Sequence, residues 1–92
     1  MANDNIWPFD GYFVNSAAVY VILNAMRQVI YVGETNDLGR RITEHRKDAA
    51  HAMHGYAPKF VMVEFSFGTD EGRRAREQAI ILQYNPPCNQ RL

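Results

Sequence analysis

The 92 residues include only one cysteine, Cys88. A lone cysteine cannot form a disulfide within the chain, and proteins without disulfides are typical of reducing compartments. No segment approaches the roughly 18 consecutive apolar residues that a membrane-spanning helix requires. The first residues, MANDNIWPFD, are acidic and lack the basic start and apolar stretch of a signal peptide. These absences favour a cytoplasmic protein without a membrane partner.

Net charge is also absent, because ten Lys and Arg balance ten Asp and Glu. A neutral chain has no general attraction for a polyanion. The basic residues nevertheless form two local groups, one of Arg40, Arg41, Arg46 and Lys47 and one of Arg73, Arg74 and Arg76. Acidic residues are interleaved with both groups, so a nucleic-acid partner would require a local contact surface.

Neither an internal repeat nor a low-complexity tract interrupts the sequence, and it contains no glycine-rich phosphate loop. The length predicts a single domain over residues 1–92, and 47% hydrophobic residues are enough to build its core. Residues 1–15 show no periodicity. We interpret them as an extended lead-in segment that packs through Trp7, Phe9 and Phe13.

Two short segments rich in β-branched and aromatic residues, 19–23 and 29–32, predict the strands of an antiparallel hairpin. In the turn between them, Asn24 is the residue most suited to an unusual backbone angle. Gly33 is expected to end the second strand, where it allows a positive φ or the close approach of another group.

A helix is expected next, capped by Thr35 or Asn36, with Asp37 in its first turn. It should end before residue 55. Its apolar stripe consists of Leu38, Ile42 and Ala49.

Residues 59–67 alternate in polarity and predict a third strand. Its core face would carry Val61, Val63, Phe65 and Phe67. Thr69 then caps a second helix over residues 70–84, which Pro86 and Pro87 end. The predicted fold is α+β, with a three-stranded antiparallel sheet flanked by helices in the order β-β-α-β-α.

Five side chains in these elements have the chemistry of a catalytic site. Tyr20 and Tyr31 lie on the paired strands, either as core aromatics or as site residues, since a phenol near a cation has a lowered pKa and can act as a general base. Arg41 and His45 share one helical face, which is either solvated or directed at a phosphate.

Glu77 lies beside Ile80 and Ile81 on the second helix. It either pairs with Arg73 and Arg74 or holds a hard divalent cation such as Mg²⁺. Other constellations are weaker. His51 and His54 have no matching ligands for zinc, and Cys88 has no helix N-terminus to activate it.

The order of these residues resembles the GIY-YIG nuclease domain over residues 17–89. The elements that carry the resemblance are Ala18-Val19-Tyr20, Tyr31-Val32-Gly33, Arg41, His45, Glu77 and Asn89. Alanine replaces the leading glycine of the first motif.

The resemblance implies a metal-dependent endonuclease that hydrolyses DNA phosphodiester bonds, in repair or recombination. Tyr20 would be the general base and Tyr31 would orient water or phosphate. Arg41 would stabilise the phosphate charge and His45 would polarise water or bind phosphate. Glu77 would be the sole protein ligand of Mg²⁺ or Mn²⁺.

Gly33, Arg40 and Asn89 would contact the substrate, and Asn89 would also brace the site. The sequence leaves two alternatives open. The chain could be a non-catalytic nucleic-acid- or protein-binding module that keeps the fold, or a subunit whose protein partner supplies affinity for DNA.

Overall fold

The computed structural model describes residues 6–48, 51–65 and 68–89. Four antiparallel strands form its sheet in the order β1-β4-β2-β3. Their bounds are Ile6–Pro8 for β1, Ala18–Leu23 for β2, Val29–Thr35 for β3 and Phe60–Phe65 for β4. The predicted three-stranded sheet was therefore wrong by one strand. The missed strand, β1, has three residues, too few for an alternating pattern, and its pairing with β4 is a long-range contact.

The central strand β2 is buried along all six residues. It lies between β3 and β4, and helices cover both faces of the sheet, so neither face of β2 reaches water. This location explains why its sequence, AVYVIL, is uniformly apolar apart from one phenol.

Each face of the sheet packs against a different helix. Tyr20 and Ile22 contribute to a core cluster with Leu38 and Ile42 of helix α1 (Leu38–Lys47). The opposite face forms a second cluster, which consists of Val19, Val21, Leu23, Val32 and Ile80, the last from helix α2 (Asp70–Tyr84). Neither helix in the described ranges is long and apolar enough to cross a membrane.

The predicted core face of β4 is confirmed at Val61 and Val63, which are buried in the α1 cluster. Phe65, on the same face, is 42% exposed. The opposite side chains Phe60 and Met62 pack partly against the α2 cluster, because β4 also has a helix on each side. Phe67 lies outside the described residues.

The hairpin turn differs from the prediction in which residue takes the left-handed backbone. Arg27 has φ 62°, whereas Asn24 serves through its side chain. The Asn24 carboxamide oxygen accepts hydrogen bonds from the backbone N–H groups of Met26 and Gln28, at 3.0 and 2.9 Å. The Asn24 side chain thus stabilises the turn through an Asx-type contact, and Arg27 adopts the left-handed backbone conformation.

Helix α1 begins one or two residues later than expected, and Asp37 is its cap, not a residue of its first turn. Its N-cap is Asp37, whose carboxylate accepts the N–H of Arg40 at 3.1 Å, while the Thr35 hydroxyl accepts the N–H of Asp37 at 3.0 Å. The stripe is buried at Leu38 and Ile42, and Ala49 lies outside the described residues. The helix was expected to continue to just before residue 55, but α1 ends at Lys47 and a separate short 3-10 helix, Ala52–Tyr56, follows.

The prediction for α2 is confirmed at both ends. Thr69 caps it by accepting the N–H of Gly72 at 3.0 Å, and Asn85 leaves it in the left-handed conformation, φ 46°. A 3-10 turn, Pro87–Asn89, then packs against β3.

Candidate active site

Tyr20 lies at the middle of β2, directly opposite Gly33 of β3. Its ring crosses the glycine so closely that a Cβ added at position 33 would lie 2.3 Å from the phenolic oxygen. The prediction that Gly33 ends the strand is wrong, because β3 continues to Thr35. Of the two alternatives predicted for this glycine, the positive φ is not observed. Its close approach to another group is confirmed, and that group is Tyr20.

Tyr31 lies two residues before Gly33, so its side chain emerges on the same face of the sheet. The ring centroids of Tyr20 and Tyr31 are 6.3 Å apart. Tyr20 is 1% exposed and Tyr31 half-buried. The pair therefore has one inner and one outer phenol.

His45 is 2% exposed, which makes the solvated-face interpretation wrong for this residue. It continues the buried stripe of α1, seven residues after Leu38 and three after Ile42. Its Nε2 lies 2.7 Å from the Tyr20 hydroxyl. Burial, aided by the charges of Arg41 and His51, lowers the pKa of His45 to about 4. The imidazole is consequently neutral at neutral pH.

The rings of Tyr20, Tyr31 and His45 form a cluster that His51 completes. Sequence reasoning missed His51 as a site residue. Its ring meets Tyr31 edge-on at 5.1 Å and His45 at 5.2 Å between centroids. The backbone N–H of Met53 donates to His51 Nδ1 at 3.1 Å, so the neutral ring carries its proton on Nε2. The His-x-x-His spacing with His54 was the available signal, but it was weighed only as a zinc motif.

His54 contacts the site from behind. Its Nε2 lies 2.8 Å from the backbone carbonyl oxygen of His45, which can only accept, so His54 donates. The histidine pair considered for zinc thus has both rings in hydrogen bonds that fix the cluster.

Arg41 extends from α1 toward both phenols, and its side chain is partly exposed. It also donates to the Glu44 carboxylate at 3.1 Å. The expectation that a neighbouring cation lowers the phenolic pKa is wrong in its net direction. Burial raises the pKa of Tyr20 and of Tyr31, and this rise exceeds the lowering effect of Arg41.

Glu77 is half-buried on α2. Its charge raises the pKa of both Tyr20 and Tyr31, so the carboxylate lies within electrostatic reach of both rings. The structure thus brings together five side chains from four elements: Tyr20, Tyr31, Arg41, His45 and Glu77.

The model of the GIY-YIG catalytic domain matches residues 16–91. The chain belongs to this family. A search of curated proteins found no match.

Three solved structures resemble this GIY-YIG chain, all of the N-terminal endonuclease domain of UvrC from Thermotoga maritima. Two are tyrosine-to-phenylalanine point mutants and one is an asparagine-to-alanine mutant, each bound to its catalytic divalent cation. They are 18–19% identical to this chain with a TM-score of 0.71, and the match covers 85% of this chain and 87% of theirs. At this identity the likeness shows the shared fold.

Two further predicted residues lie at the margin of this GIY-YIG site. Asn89 accepts the N–H of Val32 at 2.7 Å and donates to its carbonyl at 2.8 Å, so both ends of its amide tie the C-terminal turn to β3. Arg40 is exposed and faces Asp37 and Glu44, at 4.0 and 3.7 Å. Of the adjacent arginines, Arg41 is the one whose charge acts on the phenols.

The donor set around the phenols suits a particular class of cation. Within residues 6–48, 51–65 and 68–89, no group of three or more His, Cys, Asp or Glu side chains could enclose a metal ion. Mg²⁺ keeps several of its waters and commonly binds through one or two carboxylates, so Glu77 alone fits its requirement. A softer metal such as zinc would need more protein ligands.

Proposed function

We propose that this GIY-YIG domain is an endonuclease that hydrolyses DNA phosphodiester bonds with one Mg²⁺ or Mn²⁺ ion, in repair or recombination. The observation that carries the proposal is the meeting of the Tyr20, Tyr31 and His45 rings, whose centroids lie 5.3–6.3 Å apart, and the electrostatic environment supports it. Arg41 and Glu77, from different helices, act with opposite sign on the same two phenols. A module that only binds needs no half-buried carboxylate within electrostatic reach of one buried and one half-buried phenol, because that carboxylate is costly to desolvate.

Tyr20 and His45 form a route for the proton of the attacking water. Both phenols are protonated in the resting protein because burial raises their pKa. Tyr20 can accept a proton from water only as it releases its own, and the neutral Nε2 of His45 lies 2.7 Å away to take it. This assignment requires the tautomer of His45 with its proton on Nδ1. Tyr20 is thus the general base, acting through His45.

Arg41 and Tyr31 would bind the reacting phosphate. The guanidinium donates hydrogen bonds to phosphate oxygens and stays charged at any working pH. Tyr31, the outer phenol, can donate its O–H to water or phosphate. Because the backbone under it is fixed by Asn89 and Gly33, its direction is set before substrate binds.

Glu77 would hold the divalent cation. When bound, the cation would neutralise the carboxylate that raises both phenolic pKa values and would stabilise charge on the phosphate oxygens. The protein therefore provides one anionic ligand and leaves the other coordination positions to water and substrate.

Replacement of the proposed metal ligand tests this function. Glu77→Gln removes the anionic ligand and should lower Mg²⁺-dependent cleavage of plasmid DNA by at least about 10²-fold. Mg²⁺ should also raise the unfolding temperature of the wild type but not of Glu77→Gln. Glu71→Gln, an exposed position in the first turn of the same helix, is the matched control and should behave as wild type.

The two readouts separate the proposed nuclease from its alternatives. Full cleavage by Glu77→Gln would remove this residue from the site. Wild-type protein that binds DNA without cutting plasmid, branched or single-stranded forms would instead be a binding module or a subunit that requires a partner.

A further inference from the structure

A polar cleft of about 370 Å³ opens beside the proposed active site, between the first turns of α1 and α2. Four arginines line it: Arg40, Arg41, Arg73 and Arg74. Arg41 also acts on the pKa of both phenols, so the cleft and the proposed site share this side chain.

The acidic residues of the cleft are already paired with three of these arginines. Arg73, 5% exposed, bonds Glu34 at 3.2 Å and also bonds Asp70. Glu44 lies 3.1 Å from Arg41.

The remaining acid contact in the cleft involves Arg40, which lies 3.7 Å from Glu44. Counted together, the four arginines exceed the three acids of the lining by one positive charge. Since each acid has an arginine partner, the surplus charge belongs to the arginine without one.

Arg74 is that residue. Its side chain is exposed and makes no hydrogen bond or ion pair with any residue of the described ranges. It lies three residues before Glu77, so both side chains project from the same side of α2. An exposed arginine that has no partner in the part of the chain that the structure describes, and that lies beside the proposed active site, is available to an external anion.

We propose that this cleft binds a backbone phosphate of the DNA strand next to the cleaved bond, with Arg74 as its main contact. The inference rests on the proposed function, because it takes DNA as the substrate. The planar guanidinium forms two parallel hydrogen bonds with a phosphate, and a backbone phosphate is present beside every scissile bond whatever the base sequence. The cleft would therefore add affinity and direction to the strand without reading sequence.

The salt dependence of DNA binding tests this contact. Binding of the full chain to a duplex oligonucleotide is measured with EDTA present, so that no cleavage occurs, over a fourfold rise in KCl. Loss of one phosphate contact should reduce the slope of log K against log salt by about 0.9. Over that range, the fold decrease in affinity of Arg74→Gln should therefore be about 3.5 times smaller than the fold decrease of wild type.

Lys59→Gln is the matched control, because it removes one exposed positive charge at the opposite end of the sheet. The Lys59 N–H bonds the carbonyl of Leu23 at the far end of β2, whereas Thr35 of the cleft pairs with Ala18 at the near end. Its slope should equal that of wild type.

Three results would overturn the proposal. Equal slopes for wild type and Arg74→Gln, in a wild type that cuts DNA, would remove the contact and leave the proposed function standing. Inorganic phosphate that stabilises wild type but not Arg74→Gln, with unchanged DNA slopes, would assign the cleft to a free anion. Failure of the wild type to bind or cut any DNA would refute the proposed function itself, and the inference with it.

Discussion

Acidification should destabilise the protein through a single buried imidazole, His45. In the unfolded chain a histidine titrates near 6.5, whereas burial, Arg41 and His51 lower the pKa of His45 to about 4 in the folded protein. The unfolded state therefore binds a proton first as the pH falls. Stability is intact above about pH 6.5 and is lost progressively as the pH approaches 4.

The size of the effect follows from the difference between the two pKa values. Over the whole window it amounts to about 3 kcal/mol, and between pH 7 and 4.5 to about 2 kcal/mol. A small domain has a total stability of about 5–15 kcal/mol, so this loss is easily measured.

Urea unfolding of wild type and His45→Gln at pH 7 and at pH 4.5 isolates the contribution of His45 to the pH dependence of the free energy of unfolding. Glutamine cannot titrate in this range, while the other titratable groups are present in both proteins, so the difference reports the protonation of His45 together with its coupling to its charged neighbours. We expect wild type to lose about 2 kcal/mol more than His45→Gln. Equal losses, or an NMR titration of His45 with a midpoint near 6.5, would refute the burial argument.

Two further predictions concern the packing around the phenols. Gly33→Ala places a methyl group 2.3 Å from the Tyr20 oxygen and should cost about 1–3 kcal/mol and most of the activity, whereas Gly55→Ala meets nothing within 4 Å and should do neither. His51→Phe keeps the ring edge against Tyr31, while His51→Asn keeps an acceptor for the Met53 N–H and loses the ring. Cleavage rates should fall up to about tenfold in His51→Asn and stay near wild type in His51→Phe. The reverse order would mean that the hydrogen bond from the Met53 N–H matters and the ring contact does not.

Local signals were strong enough to predict the helices and the paired strands. Thr69 as cap and the prolines after Asn85 define α2 because capping and the loss of an N–H act within a few residues. The cap of α1 was misplaced because several adjacent residues carry the same local capping signal. Thr35, Asn36 and Asp37 can all cap, and Asp37 is favoured by a contact that local sequence does not reveal, the hydrogen bond that Asn15 donates to it at 2.7 Å from 22 residues away.

The candidate site was predictable as a set of residues and not as an electrostatic environment. The order of Tyr20, Tyr31, Arg41, His45 and Glu77 resembles one family, and the structure brings them together. The sequence could not show that burial exceeds the effect of Arg41 on the phenols, or that His51 joins them. Both depend on how many atoms from distant segments surround each ring.

By itself, then, the amino-acid order determined the secondary structure of the main elements, the antiparallel hairpin and the family, because those depend on periodicity, capping and motif spacing. The tertiary structure alone decided that His45 is buried and neutral, that the edge strand β1 exists, and that Arg74 has no partner among the described residues beside the site. Desolvation and ion pairing depend on the distance between groups in space, which separation along the chain does not determine.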